Sequence, residues 1–330
     1  RVVIAAMEGV GLGDPRQIDG LGGAETLTSK AAIVSLSSRE DADLDYLFLQ
    51  VVIGGGRVST LQNCGNILAG VLPFAIESHL WPAQKDQTTA IIHMVNSGGL
   101  CEVTVPTPQG EVEYAGDATV DGVPGTAAPI ICNYLDVAGS ATGALLPTGN
   151  VVDVVDGVAV TVVDNGMPVV VLRAADVGRT GYESKAELDA DEELKARLEA
   201  IRLAIGPRMT LGDVTNKTIP KMCLIAPPIH GGFVHTRMFI PHVCHAAIGV
   251  LAAVSVATAC LLPGSIAGDI VHPPTNGQTV LSIEHPFGEF SVDLDIEAKG
   301  DTIDVKKSGT LRTARLISKG ELYIPAGIWG

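Results

Sequence analysis

Asn63-Cys64-Gly65-Asn66-Ile67-Leu68-Ala69-Gly70-Val71-Leu72-Pro73-Phe74-Ala75-Ile76 contains no charged side chain. An Asn followed by so long an apolar run predicts a capped helix over residues 63–79, buried on every side. Its first turn carries a thiol, Cys64, among backbone N–H groups without helical partners, where an anion is favoured and a cysteine is more acidic than usual. A second run echoes the first. Residues 246–262 are also free of charge, between His245 and Pro263-Gly264. That run sits at the short end of a membrane span, but its Ala content, Ser255 and Thr258 predict a buried core helix over residues 245–262 instead.

Each apolar helix is preceded by a strand-like segment that contains a lysine. Thr28-Ser29-Lys30-Ala31-Ala32-Ile33-Val34 precedes the first, and Ile219-Pro220-Lys221-Met222-Cys223-Leu224-Ile225 precedes the second. Strand, lysine, strand and apolar helix, twice, make a weak internal repeat. Two such modules facing each other would leave a cleft in which helix N-termini from both sides point at one anionic ligand. Further apolar, turn-bounded runs predict strands near 90–95, 102–105, 151–155, 158–163, 168–172, 233–240, 279–283, 290–296, 302–305 and 312–317. Residues 183–205 read as an exposed amphipathic helix with Leu188, Leu194, Leu198, Ile201 and Ile205 in one stripe.

At 330 residues and 46% hydrophobic content, the chain can fill two medium cores, and its Val, Ile, Gly and Pro usage favours many short strands. A formal charge of −15 with scattered Lys and Arg excludes nucleic acid as a partner. The six cysteines, at 64, 101, 132, 223, 244 and 260, form no CxxC pair, which points to a reducing cytoplasm. His93, His230, His235 and His242 lack metal-ligand spacing, so no metal site is expected. Gly54-Gly55-Gly56 and Gly20-Leu21-Gly22-Gly23 fit no nucleotide fingerprint and read as turns or close approaches. Residues 1–8 do not read as a signal peptide, and the absence of an initial Met predicts a missing start.

Several long motifs then carry a family likeness. Asp19-Gly20-Leu21-Gly22-Gly23-Ala24, Thr28-Ser29-Lys30, Asn63-Cys64-Gly65-Asn66, Gly116-Asp117-Ala118-Thr119-Val120-Asp121-Gly122-Val123-Pro124-Gly125-Thr126 and Leu146-Pro147-Thr148-Gly149 resemble the PrpF family. Phe239-Ile240-Pro241-His242 and Cys244-His245-Ala246-Ala247-Ile248-Gly249-Val250 resemble its 4-oxalomesaconate tautomerase and isomerase branch. The resemblance implies an α+β, diaminopimelate-epimerase-like fold: two pseudo-symmetric β-barrel-like modules, each wrapped around a central helix, with the active site in the cleft between them. The expected modules are residues 1–149, with C-terminal strands 312–330 packing back on them, and residues 150–311. The implied activity is a cofactor-independent isomerase that shifts a proton in 4-oxalomesaconate, giving 2-keto-4-carboxy-3-hexenedioate, in bacterial breakdown of lignin-derived aromatic acids. Keto-enol tautomerisation of the same compound, an aconitate-type isomerase and a non-catalytic polycarboxylate-binding protein are the alternatives. The expected partner is a small unsaturated keto tricarboxylate, with no membrane and with a homodimer left open.

In that pattern Lys30 and Cys64 are the catalytic pair. A 1,3 proton shift beside a conjugated carbonyl needs a base for an acidified C–H, a group to hold dienolate charge, and an acid to return the proton. A lysine, ordinarily near pKa ~10.4, serves as that base only when desolvated or set near another cation. Gly65 permits close backbone approach and Asn66 supplies an amide. Ser29, Asn96, Lys221, Arg237 and His245 are the candidates for holding carboxylates or the keto oxygen, Arg through its fork and Lys as a point charge. Two features depart from the family. Its opening strand with Arg-Gly-Gly-Thr-Ser-Lys has no counterpart before Arg1, and the second central helix lacks the second cysteine of the epimerases.

Overall fold

The computed structural model describes residues 1–9, 13–25, 28–60, 64–121, 123–271, 280–299 and 302–329. Two compact units emerge. The first comprises Arg1–Ala118, Thr126–Cys132 and Arg312–Gly330; the second comprises Thr119–Gly125 and Asn133–Leu311. Residues 133–149, expected in the first module, thus belong to the second unit.

The first unit contains α1 (Val2–Glu8), β1 (Lys30–Leu36), β2 (Leu44–Val52), β3 (Arg57–Ser59), α2 (Gly65–Leu68), α3 (Val71–Glu77), β4 (Asp86–Met94), β5 (Gly99–Thr107) and the start of β6 (Ile130–Leu135). Its strands run in the order β1-β2-β4-β5-β6, with β3 on β2. β1 and β2 are antiparallel, whereas β2 and β4 are parallel. Parallel neighbours require a crossover, and the segment with α2 and α3 supplies it. The single helix expected over 63–79 is therefore two short ones, and Asn63 lies outside the described residues. Pro73 explains the break. In one continuous helix it would sit in the interior, where its ring clashes with the preceding turn; restarting at Val71 puts it in a first turn that needs no N–H there. Burial is also one-sided, because Phe74 points to solvent.

The second unit contains β7 (Asp153–Val155), β8 (Val158–Asp164), β9 (Pro168–Arg173), α4 (Lys185–Ala190), α5 (Glu192–Ile205), β10 (Lys221–Ala226), β11 (Val234–Phe239), α6 (Val250–Leu261), β12 (Val280–His285), β13 (Gly288–Lys299) and β14 (Thr302–Arg312). β10 and β11 are antiparallel, β11 and β12 parallel, and β12 and β13 antiparallel. The same sequence of relations joins β1, β2, β4 and β5, with α6 in the place of α2 and α3. The repeat read from the two lysine-bearing segments is thus a repeat of topology within each unit.

α6 is the buried helix the charge-free run predicts: Ala252 through Cys260 are all buried. Among the described residues no helix is long and apolar enough to cross a membrane. Alternation along the strands gives the second unit a core on each side of its sheet. Val171, Cys223, Val234 and Met238 face α6, while Leu172, Met222, Leu224 and Phe239 meet Leu188, Leu194, Leu198, Ile201 and Ile205. The helix expected over 183–205 is split at Asp191, which caps α5 through the Leu194 N–H, and a Ser184–Glu187 capping box starts α4. As expected of an amphipathic helix, its apolar stripe is buried while most of its remaining positions stay exposed or half-exposed. The strand expected at 312–317 ends at Arg312; residues 313–325 pair with nothing regular, and a turn of helix, Ala326–Trp329, closes the chain.

Candidate active site

Lys30 opens β1, opposite Gln50 of β2. From there its Nζ donates to Cys64 Sγ at 3.8 Å. Both side chains are half-buried. Cys64 is the N-cap of α2, with extended backbone (φ −131°, ψ 108°), and its side chain caps nothing, which leaves the thiol free for chemistry. Since α2 has only four residues, the helix field expected to favour the thiolate is that of a single turn.

Tyr46, which the sequence reading passed over, fixes the cysteine. Its hydroxyl donates to the Cys64 carbonyl at 3.0 Å from a fully buried position on β2. Burial, joined by the nearby Cys64 charge, raises the phenol well above its ordinary value and so keeps it a donor. Ser29, expected to grip a carboxylate, is buried and donates its hydroxyl to Gln17 Oε1 at 2.8 Å. The same oxygen accepts the Ala24 N–H at 2.7 Å. The Asp19–Ala24 motif has its role here: a Cβ on Gly22 would lie 2.0 Å from Gln17 Oε1, and one on Gly20 would lie 2.3 Å from the Met7 carbonyl oxygen. The glycines let this loop close over Gln17, which holds the residue beside Lys30.

Gly65 and Asn66 are the first two residues of α2, and Asn66 projects its amide to solvent without a partner among the described residues. Asn96 does not serve as expected. Its Oδ1 accepts the Phe48 N–H at 2.8 Å, and its Nδ2 donates to the carbonyls of Phe48 and Thr60 at 2.9 Å. Both amide donors and one Oδ1 lone pair are thus engaged by Phe48 of β2 and by Thr60, just past β3, and in this arrangement Asn96 braces the backbone.

In the second unit, Lys221 is only 9% exposed and has no hydrogen-bond or ion-pair partner among the described residues. Burial, and then repulsion from Arg202, push its ammonium below the ordinary lysine value. Lys221 precedes Met222, and Cys244 bridges to Phe239 on β11, so alternation turns both Lys221 and His245 toward the α6 side. His245 Nδ1 accepts the Ala247 N–H at 2.8 Å, which leaves the ring proton on Nε2. Burial lowers its pKa, and Lys221 adds to the effect. His245 does not cap α6, whose N-cap is Gly249. Arg237 leaves β11 on the opposite face from this pair, so alternation along the strands separates it from the other two candidates of this unit. Among the described residues, no three His, Cys, Asp or Glu side chains converge in a way that could hold a metal ion.

Comparison with known proteins adds four findings. A family model described as PrpF protein matches residues 4–325. The chain is 57% identical, over 96% of its length and 87% of the relative's, to a (4E)-oxalomesaconate Delta-isomerase of Novosphingobium sp. (strain KA1). It is 54% identical, over 100% of its length and 90% of the relative's, to a 4-oxalomesaconate tautomerase of Pseudomonas putida. Among solved structures, that of a methylitaconate-delta-isomerase superposes with a TM-score of 0.84 at 34% identity, covering 95% of this chain and 85% of the other.

Proposed function

The chain belongs to the PrpF family and has its diaminopimelate-epimerase-like α+β fold, and on that footing we propose that it is an isomerase acting on 4-oxalomesaconate. A proton leaves an allylic carbon acidified by the conjugated keto acid, the double bond migrates, and a proton returns two carbons away, giving 2-keto-4-carboxy-3-hexenedioate. The reaction moves one proton and one double bond within a single molecule, and the reading assigns both transfers to side chains, without a cofactor. The carrying observation is the 3.8 Å contact between Lys30 Nζ and Cys64 Sγ, in a chain more than half identical to relatives named for this substrate. An amine and a thiol in contact can divide the two proton transfers, one removing and the other returning. Lys30 is assigned the removal and Cys64 the return. Gly65 and Asn66, at the α2 turn beside the thiol, remain candidates for the substrate's polar groups. Lys221, buried and unpartnered, and His245 are the second unit's candidates for holding a carboxylate. All six cysteines are free, which supports a reducing cytoplasm.

The test is substrate NMR in deuterated water. Deuterium is expected at the carbon that receives the proton, and Lys30→Met is expected to abolish this with a rate loss of roughly 10²–10⁴-fold. Undiminished exchange in Lys30→Met would remove Lys30 as the base. Cys64→Ser is expected to slow turnover while substrate still binds; full activity would reduce the thiol to packing. A tautomerase reading is favoured by the name of the Pseudomonas putida relative. It predicts an enol product with the carbon skeleton's double bond unmoved, which the same spectra separate from an allylic product. Tight binding of substrate with no exchange in the unsubstituted protein would indicate a polycarboxylate-binding protein instead.

A further inference from the structure

Arg237 is a buried cation with an unused end. It is 4% exposed and stands on the α4 and α5 face of the second unit's sheet. Its Nε donates to the Glu183 carbonyl at 2.7 Å and its Nη1 to the Thr236 carbonyl at 2.9 Å. Nη1 also meets His235 Nε2 at 2.6 Å. A guanidinium can only donate, so Nε2 accepts and the ring proton sits on Nδ1, 2.8 Å from Glu284 Oε2. Glu284 in turn accepts the N–H groups of Ile229, His230 and Gly232 at 2.8–2.9 Å. Tyr182 presses on the His235 ring from the side, with centroids 5.1 Å apart. This chain fixes the guanidinium from behind, but nothing among the described residues meets Nη2.

Arg237 lines an open cavity of 680 Å³, shared with Tyr182, Ser184, Lys185, Pro286 and Phe287. The other charged groups at the cavity have partners of their own. Lys185 pairs with Asp189, and Glu187 accepts from the Ser184 N–H and hydroxyl. Glu183, whose main chain touches Arg237, commits its carboxylate to Thr180 and Gly181. The Nη2 edge of a buried guanidinium therefore stands at the cavity with N–H groups to spare, and a buried donor left unpaired is costly. The rest of the wall is apolar: the Phe287 ring is 71% exposed, beside Pro286 and the Tyr182 ring.

We propose that Arg237 Nη2 and this cavity form a binding site for a small monocarboxylate with a planar apolar body, the acid group on the guanidinium and the body against Phe287 and Tyr182. The proposal goes beyond the isomerase reading. It concerns the face opposite Lys221 and His245, and it stands whichever reaction Lys30 and Cys64 carry out.

Benzoate is the probe, titrated into the whole protein with NMR or calorimetry as readout. Saturable binding in the millimolar range is expected, with ring signals of Tyr182 and Phe287 shifting together. Arg237→Gln should weaken it at least tenfold, and Phe287→Ser, at an exposed position, should weaken it severalfold in a chain that stays folded. Inorganic phosphate, which lacks the apolar body, should compete poorly. Lys30→Met should bind benzoate as the unsubstituted protein does. Absence of saturable binding overturns the proposal, as do equal competition by phosphate, unchanged affinity in Phe287→Ser, or loss of binding in Lys30→Met, which would locate benzoate at the catalytic pair instead.

Discussion

Lys30 and Cys64 were legible because each carries a reactive group in a recognisable setting, one at a strand start and one at a helix start. Their contact was not, since nothing in the order of residues reveals that two positions 34 apart meet at 3.8 Å. Tyr46 was invisible for a related reason: an aromatic in an apolar strand reads as core, and only the fold shows its hydroxyl reaching the Cys64 carbonyl. Removing that hydroxyl in Tyr46→Phe leaves a buried carbonyl with one donor fewer, a loss of about 1 kcal/mol. We expect lower turnover with nearly unchanged substrate affinity, measured as kcat against KM. Polar side chains were the least reliable guide. Ser29 and Asn96 look like ligand groups in one dimension, yet both are committed to Gln17 and to β2. Asn96→Ala should therefore lower the urea midpoint, by the roughly 1–3 kcal/mol of unsatisfied backbone groups, more than it alters substrate affinity.

Elements with regular alternation were the easiest to read. β4 and β5 alternate buried and half-exposed positions along most of their length, and their core was visible as a period of two. β2 was missed because its early alternation gives way to consecutive buried positions from Phe48 to Val51, and it follows the acidic Glu40–Asp43 stretch, so no period is sustained. Residues 312–317 misled in the opposite sense, with alternation but no neighbouring strand to pair with. The Gly-rich loop near residue 20 read as a turn or a close approach, without showing what it approaches. Its requirement is steric, because a Cβ on Gly20 meets the Met7 carbonyl at 2.3 Å and the Gly9 nitrogen at 2.8 Å. Main-chain atoms cannot move aside cheaply, so Gly20→Ala should unfold at clearly lower temperature, by calorimetry, than a Ser184→Ala variant that loses only a helix cap worth about 1 kcal/mol.

For the molecule as a whole, length and composition foretold two units with β-rich cores, and the topological repeat could be sensed from two lysines and two charge-free runs. Response to acid could not be read, because it depends on which histidines the fold buries. Burial lowers the pKa of His235, His245 and His285 below the ordinary 6.5. A group whose folded pKa is depressed takes up its proton more readily in the unfolded chain, so stability falls as the pH drops below about 6.5. Glu284 adds a second, more acidic stage. Burial alone would raise its carboxyl, but three backbone N–H groups and His235 outweigh this and hold it at about 2, against an ordinary 4.5. Its contribution should be lost between about pH 4.5 and about pH 2, and Glu284→Gln should flatten that stage while leaving the histidine stage. Urea midpoints measured across this range test both; a midpoint constant from about pH 7 to about pH 5 would refute the first. The return of Arg312–Gly330 to the first unit also bears on birth at the ribosome. Translation delivers everything the second unit needs before the first has received its closing segment, whose Lys319 anchors on the Glu77 carbonyl. The nascent polypeptide must therefore wait, with its earliest-made half unfinished, until the stretch around Lys319 has been added.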